Sequence, residues 1–178
     1  FTGGETSPNQ AIARYAGGDV RMKASAFPEE FILGGAFQGL LLRYMQALLT
    51  QVSQKAVCNG LHSIEQRLAC WLLMTHDRVG SKKLEVTQES ISNLLGVRRE
   101  GINLSSGFLR NKGIIACTRG FITILDRAGL EVTACECYRV IKDEYDRLLD
   151  CKNPPFTAFS ISNAALFSIC SRYITNLF

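Results

Sequence analysis

The stretch from Leu84 to Asp126, LEVTQESISNLLGVRREGINLSSGFLRNKGIIACTRGFITILD, constrains the chain most, because the spacing of its apolar residues switches from helical to alternating within it. Thr87 suits an N-cap, Glu89 places a negative charge in the first turn, and Ile91, Leu94 and Leu95 share one apolar face. That predicts a helix of about two turns. Gly96 stands where a left-handed C-cap is needed, Val97 can fill the angle between two helices, and a second helix starting at Arg98 or Arg99 turns Ile102 and Leu109 inward. Ser92, four residues before Gly96, is small enough to let the two helices cross closely. Beyond Lys112-Gly113 the period becomes two: Ile114, Ile115 and Cys117, then Phe121, Ile122 and Ile124, flank a hairpin turn at Thr118-Arg119-Gly120. The stretch reads as two short helices, a tight turn and a two-stranded wing: a winged helix-turn-helix.

Charge points to the partner. Between Val97 and Arg119 lie Arg98, Arg99, Arg110, Lys112 and Arg119 against the single anion Glu100, a net +4. The whole chain carries +4, so the remainder sums to zero. An excess gathered on the second helix and the wing tip suits a phosphate-facing surface. Arg can read guanine O6 and N7, and Glu can accept from cytosine N4. The alternative reading is a winged helix that binds protein, or a solvated basic face.

The run VTQESISNLLGVRREGI, with the following LRNKGII and RGFITILD, resembles the DNA-binding domain of Crp/Fnr-type bacterial transcription regulators. The similarity extends upstream through HSIEQRLACWLLMTHDRVG and downstream to CECYRVIKDEYDRLL, covering roughly residues 36 to 150. The resemblance implies that Arg99 and Glu100 are the base-reading pair and that Thr87 and Gln88 hold phosphates; from their own positions, Arg98 and Asn103 are expected to support the pair and Arg119 to hold a phosphate. It also implies double-stranded DNA as partner, a homodimer on a pseudo-palindromic operator, RNA polymerase as a further partner, and a sensor that precedes this part. Three positions depart from the family pattern: Arg98 replaces a Ser-like cap, Leu104 replaces a polar reader, and Phe108 is apolar on the same side. Leu104 and Phe108, four apart, form an apolar stripe on the recognition helix.

The resulting fold class is mainly α with a small β wing. Residues 1–35, punctuated by Gly3-Gly4, Gly17-Gly18 and Gly34-Gly35, leave room for two strands at most and are expected to be the remnant of an effector-sensing β-roll. Residues 36–60 predict the longest helix, with Phe37, Leu41, Met45, Leu48 and Val52 on one stripe and Leu40, Tyr44, Leu49 and Ala56 on another. Two apolar faces need two covers, and in the resembled family the second is the same helix of a dimer mate. Residues 61–128 hold the winged helix-turn-helix. Its opening helix is capped by Ser63 and Gln66, with Ile64, Leu68, Trp71 and Leu72 as core. Residues 129–178 hold one closing helix over Leu130–Leu149, with Val132, Cys135, Tyr138, Ile141, Tyr145 and Leu148 on its buried face, and then an extension beyond Pro154-Pro155.

Seven cysteines, Cys58, Cys70, Cys117, Cys135, Cys137, Cys151 and Cys170, are scattered and odd in number, which reads as free thiols. Cys135-x-Cys137 alone is too little for a zinc or iron-sulfur site, and His62 and His76 lack ligand spacing, so no metal and no cofactor are expected in this chain. The effector of the sensor stays open. No Ser-His-Asp arrangement, P-loop or GxGxxG fingerprint is present, and Glu29-Glu30 reads as a solvated pair, so catalytic residues are not expected. Without a signal sequence or an apolar run of spanning length, the expected location is cytoplasmic, away from membranes.

Overall fold

The computed structural model describes residues 22–149. They divide into two compact units, one holding residues 22–49 and 144–149, the other Thr50–Asp143. The extension beyond Pro154-Pro155 and most of the expected β-roll remnant lie outside the described residues. Within 22–35 the element found is a helix, α1 (Phe27–Ile32), with Pro28 in its first turn, where a missing N–H costs no hydrogen bond. Its Phe27 ring stacks on Phe31 and meets the edge of Phe37.

Helix α2 (Gly35–Leu61) is the longest element, as the doubled apolar pattern predicts. Leu42, Leu49, Val52, Val57 and Leu61 remain exposed along it, while Ala47, Gln51 and Cys58 are buried.

In the Thr50–Asp143 unit, α3 (Ile64–Val79) is the central element. It opens with the expected capping box: the Ser63 hydroxyl accepts from the Gln66 N–H, and the Gln66 amide oxygen accepts from the Ser63 N–H. Gly80 closes it in the left-handed region. Leu68, Ala69, Leu72 and Leu73 are fully buried. Against α3 pack α5 (Arg99–Asn111), α6 (Arg127–Thr133) and β1 (Lys83–Glu85), and α4 (Gln88–Leu95) packs on α5.

The wing holds one strand more than the sequence reading. β2 (Ile115–Thr118) and β3 (Phe121–Ile124) pair around Arg119-Gly120, and β1 adds antiparallel to β3, giving the order β1-β3-β2. Lys83-Leu84-Glu85 is too short to announce itself by alternation. Leu84 is nevertheless fully buried, opposite Ile122.

The single closing helix is also corrected. α6 ends at Thr133, Ala134 is extended, and α7 (Cys137–Leu149) begins three residues later. The Thr133 hydroxyl donates to the Gly129 carbonyl, a bond local to the end of α6. The break resets the helical phase. Val132, expected inside, is 88% exposed, whereas Cys135, Tyr138 and Ile141 are buried.

Arg127 ties the closing helices to α3. Its guanidinium donates to Asp77 Oδ1 at 2.7 Å and to Tyr138 Oη at 2.8 Å, and the Tyr138 hydroxyl donates to Asp77 Oδ2 at 2.7 Å. Burial, followed by the hydrogen bond to the Asp77 carboxylate, pushes the Tyr138 phenol up. His76 faces the same guanidinium, a structural position.

Candidate nucleic-acid interface

The helix-turn-helix is built from local signals that agree with one another. Thr87 caps α4, its hydroxyl accepting from the Ser90 N–H at 3.1 Å, and Gln88 is the first helical residue. Gly96 adopts φ +61°, and the N–H groups of Gly96 and Val97 both donate to the Ser92 carbonyl, closing the helix tightly. Ser92 is buried and its hydroxyl donates to the Glu89 carbonyl, so a small polar residue sits at the crossing without an orphaned oxygen.

The next helix then leaves at a fixed angle, held from below. Arg67 on α3 donates to the carbonyl of Leu95, the last residue of α4. Ser105, buried on α5, donates to Glu65 on α3 at 3.1 Å. Backbone and Ser63 hydrogen bonds at the helix start hold the Glu65 carboxyl below its ordinary range. At Gly101 an added Cβ would come within 2.9 Å of Ile64 Cδ1, so α5 approaches α3 through a residue with no side chain. Nothing in residue spacing marks Arg67 or Gly101 as positioning residues. Their roles appear only once α3 lies under the turn.

With Ile102, Ser105, Ser106 and Leu109 inward, a 3.6-residue period turns Glu100, Asn103 and Leu104 outward, with Arg99 at the border. Arg98 is the N-cap of α5, extended and without a side-chain cap bond, so its guanidinium is not used in folding. Arg98, Arg99, Glu100, Asn103 and Arg119 are all exposed. No ion pair among the described residues engages Arg98, Arg99, Glu100 or Arg119. The structure therefore places Arg98, Arg99, Glu100 and Asn103 together at the start of α5, Thr87 and Gln88 at the start of α4, and Arg119 apart at the hairpin turn. Leu104 is 75% and Phe108 41% exposed, so the apolar stripe is real, with Lys112 Nζ 4.4 Å above the Phe108 ring.

A second constellation was not legible in spacing. Cys58, His62, Cys135 and Cys137 meet with their sulfur and nitrogen atoms all within 4.8 Å of one another. The cysteines among the described residues are free, as expected, but three of them are clustered rather than scattered. A hydrogen bond from Cys70 first, then those from Cys58 and Cys137, holds the Cys135 thiol down to about 5 against the opposing effect of burial. Burial pushes Cys137 up to about 11 and raises Cys58.

A helix-turn-helix on a supporting helix, with a three-stranded sheet whose first strand precedes α4 and whose other two follow α5, defines a winged helix-turn-helix of the kind that presents one helix to DNA. Residues 66–133 match the family model of the Crp-like helix-turn-helix domain, and that segment is such a domain. Among solved structures, a protein from Eubacterium rectale assigned to the Crp/Fnr family of transcriptional regulators is 33% identical, covering 46% of this chain, with a TM-score of 0.44. The match spans 38% of that protein's own chain. No curated protein shows a significant match. No helix of the described residues is long and apolar enough to cross a membrane.

Proposed function

We propose that the protein is a sequence-specific transcription regulator of the Crp/Fnr type that inserts α5 into the major groove of its operator. The observation that carries this is the unpaired, exposed Arg98-Arg99-Glu100 start of α5, on a helix whose opposite face is anchored in a Crp-like domain. Arg99 and Glu100 read base edges, Arg98 and Asn103 support them, and Thr87, Gln88 and Arg119 hold phosphates. The exposed apolar residues of α2 support pairing with a second copy, which presents two recognition helices about 34 to 36 Å apart on a pseudo-palindrome. RNA polymerase is the further partner that such a regulator engages.

Fluorescence anisotropy on a randomised duplex pool and on the sequences selected from it, across a salt series, tests this reading. Selection of a two-fold site with a steep salt slope is expected. Arg99→Ala is expected to lose about 1 to 3 kcal/mol at the selected site and relax one base position, whereas Arg119→Ala weakens all duplexes alike. Equal losses on selected and random DNA for both variants contradict the base-reading assignment.

One observation favours a second reading. Leu104, at 75% exposure where a polar reader is usual in the resembled family, suits a winged helix that docks on protein instead. Selection that yields no preferred sequence, with a Leu104→Glu variant losing a protein partner, would support it.

A further inference from the structure

The four-residue cluster has the composition, spacing and burial of a metal centre. Cys58 lies in the last turn of α2 and His62 follows four residues later, its N–H still bonded to the Cys58 carbonyl at 3.1 Å, so the two side chains leave the same helical face. Cys135 and Cys137 come from the break between α6 and α7, where the chain is extended at Ala134 and turns at Glu136. Cys58 and Cys135 approach to 3.5 Å between sulfurs, and Cys137 Sγ lies 3.6 Å from His62 Nδ1. A tetrahedral ion with metal–sulfur bonds near 2.3 Å and metal–nitrogen bonds near 2.05 Å requires edges of about 3.8 Å between sulfurs and about 3.6 Å from sulfur to nitrogen. The two observed edges fall within a few tenths of an ångström of those values.

We propose that Cys58, His62, Cys135 and Cys137 bind one thiolate-seeking divalent cation, of the zinc class, in a closed tetrahedral Cys3His site. Three thiolates and one imidazole favour zinc over hard oxygen-seeking cations. Ligand atoms all within 4.8 Å enclose a single ion and leave no room for a multi-iron cluster. Cys58, Cys135 and Cys137 are buried and the His62 side chain is 12% exposed, which suits a structural site with no open coordination position.

The residue between the two cysteines completes the arrangement. His62 Nε2 lies 3.2 Å from Glu136 Oε1. An Nε2–H donating to that carboxylate leaves the Nδ1 lone pair facing the sulfurs, the outer-shell device that orients metal-bound imidazoles. A concavity whose lining includes Gln54, Asn59 and Trp71 adjoins Cys58 and Cys137. In the bound state all three cysteines are thiolates, any remaining thiol proton passing to water, and the imidazole binds neutral. The site then carries a net charge of −1 with no change of oxidation state. Its effect is to clamp the end of α2 to the start of α7, residues 75 or more apart in sequence.

The test uses the full chain without a polyhistidine tag. Protein purified from zinc-supplemented medium is expected to carry about one zinc per chain by plasma mass spectrometry. Cobalt added to chelator-stripped protein is expected to produce the sulfur-to-cobalt charge-transfer band and the intense visible bands of a tetrahedral ion. Cys135→Ala with Cys137→Ala is expected to abolish both signals, Cys117→Ala, outside the cluster, to retain them, and Glu136→Gln to weaken cobalt affinity about 10- to 100-fold. Circular dichroism of each variant separates loss of the ion from loss of the fold. If the cluster variant is unfolded, Glu136→Gln and the stripped wild type carry the test. Substoichiometric zinc with no cobalt spectrum, an unchanged spectrum in the folded cluster variant, or a Cys58–Cys135 disulfide in metal-free protein would each overturn the proposal. Because metal content is read without DNA, its failure is distinct from failure of the DNA-binding reading.

Discussion

The two faces of α5 make opposite demands, and one pair of truncations measures them. Ile102 is fully buried, whereas Leu104, two residues on, is 75% exposed. Ile102→Ala removes three methylene equivalents, about 2.4 kcal/mol of transfer free energy at roughly 0.8 kcal/mol each. α5 is held to α3 by the Ser105–Glu65 bond and the close approach at Gly101, so the site cannot collapse fully. A residual cavity of about 40 Å³ adds about 1 kcal/mol. The expected loss is therefore about 3 to 4 kcal/mol. For a unit the size of Thr50–Asp143, at about 4 to 8 °C per kcal/mol, the melting temperature should fall by well over 10 °C. Leu104→Ala should stay within about 0.5 kcal/mol, because most of that side chain already meets solvent. Urea unfolding followed by far-UV circular dichroism and Trp71 fluorescence reads both variants. Equal losses, or the larger loss at Leu104, would show that α5 presents a different face and would remove the basis for placing Arg99 and Glu100 in the groove.

Gly96→Ala forces a Cβ into a φ of +61° and should cost about 1 kcal/mol in urea unfolding, with operator affinity falling further if the turn opens. Ser63→Ala removes one half of the capping box on α3 and should cost about 1 kcal/mol, measurable by thermal melting. For Tyr138 the folded pKa lies above the unfolded value near 10, so its contribution is fully present below about pH 10 and is lost as pH rises beyond it. Alkaline unfolding monitored through tyrosinate absorbance should therefore show a stability decline above about pH 10 that is reduced in Tyr138→Phe. An unchanged decline in that variant would remove the assignment.

Much of the helix-turn-helix was legible because its signals are local. Thr87, Gly96 and Ser63 each act on backbone groups within a few residues, and a cap is chosen by the residue that supplies it. Ile102 and Leu109 face inward at the seven-residue spacing of one helix face, although the same helix leaves Leu104 and Phe108 exposed and buries Ser105 and Ser106. The cationic cluster at Arg98 and Arg99 could also be read from sequence, since charge density is a property of the chain before it folds. The individual base and phosphate contacts could not be read in this way, because they depend on a partner.

Tertiary packing decided the rest. Lys83-Leu84-Glu85 becomes a strand because β3 offers it an open edge, a pairing across nearly forty residues that three residues cannot signal. The closing helix breaks at Ala134, where burial of Cys135 and Cys137 beside Cys58 and His62 outweighs a helical pattern that would have buried Val132 instead. Spacing along the chain shows the cysteines scattered and gives His62 no partner at ligand spacing. Proximity between residues more than seventy positions apart is set by tertiary packing, and no spacing rule encodes it.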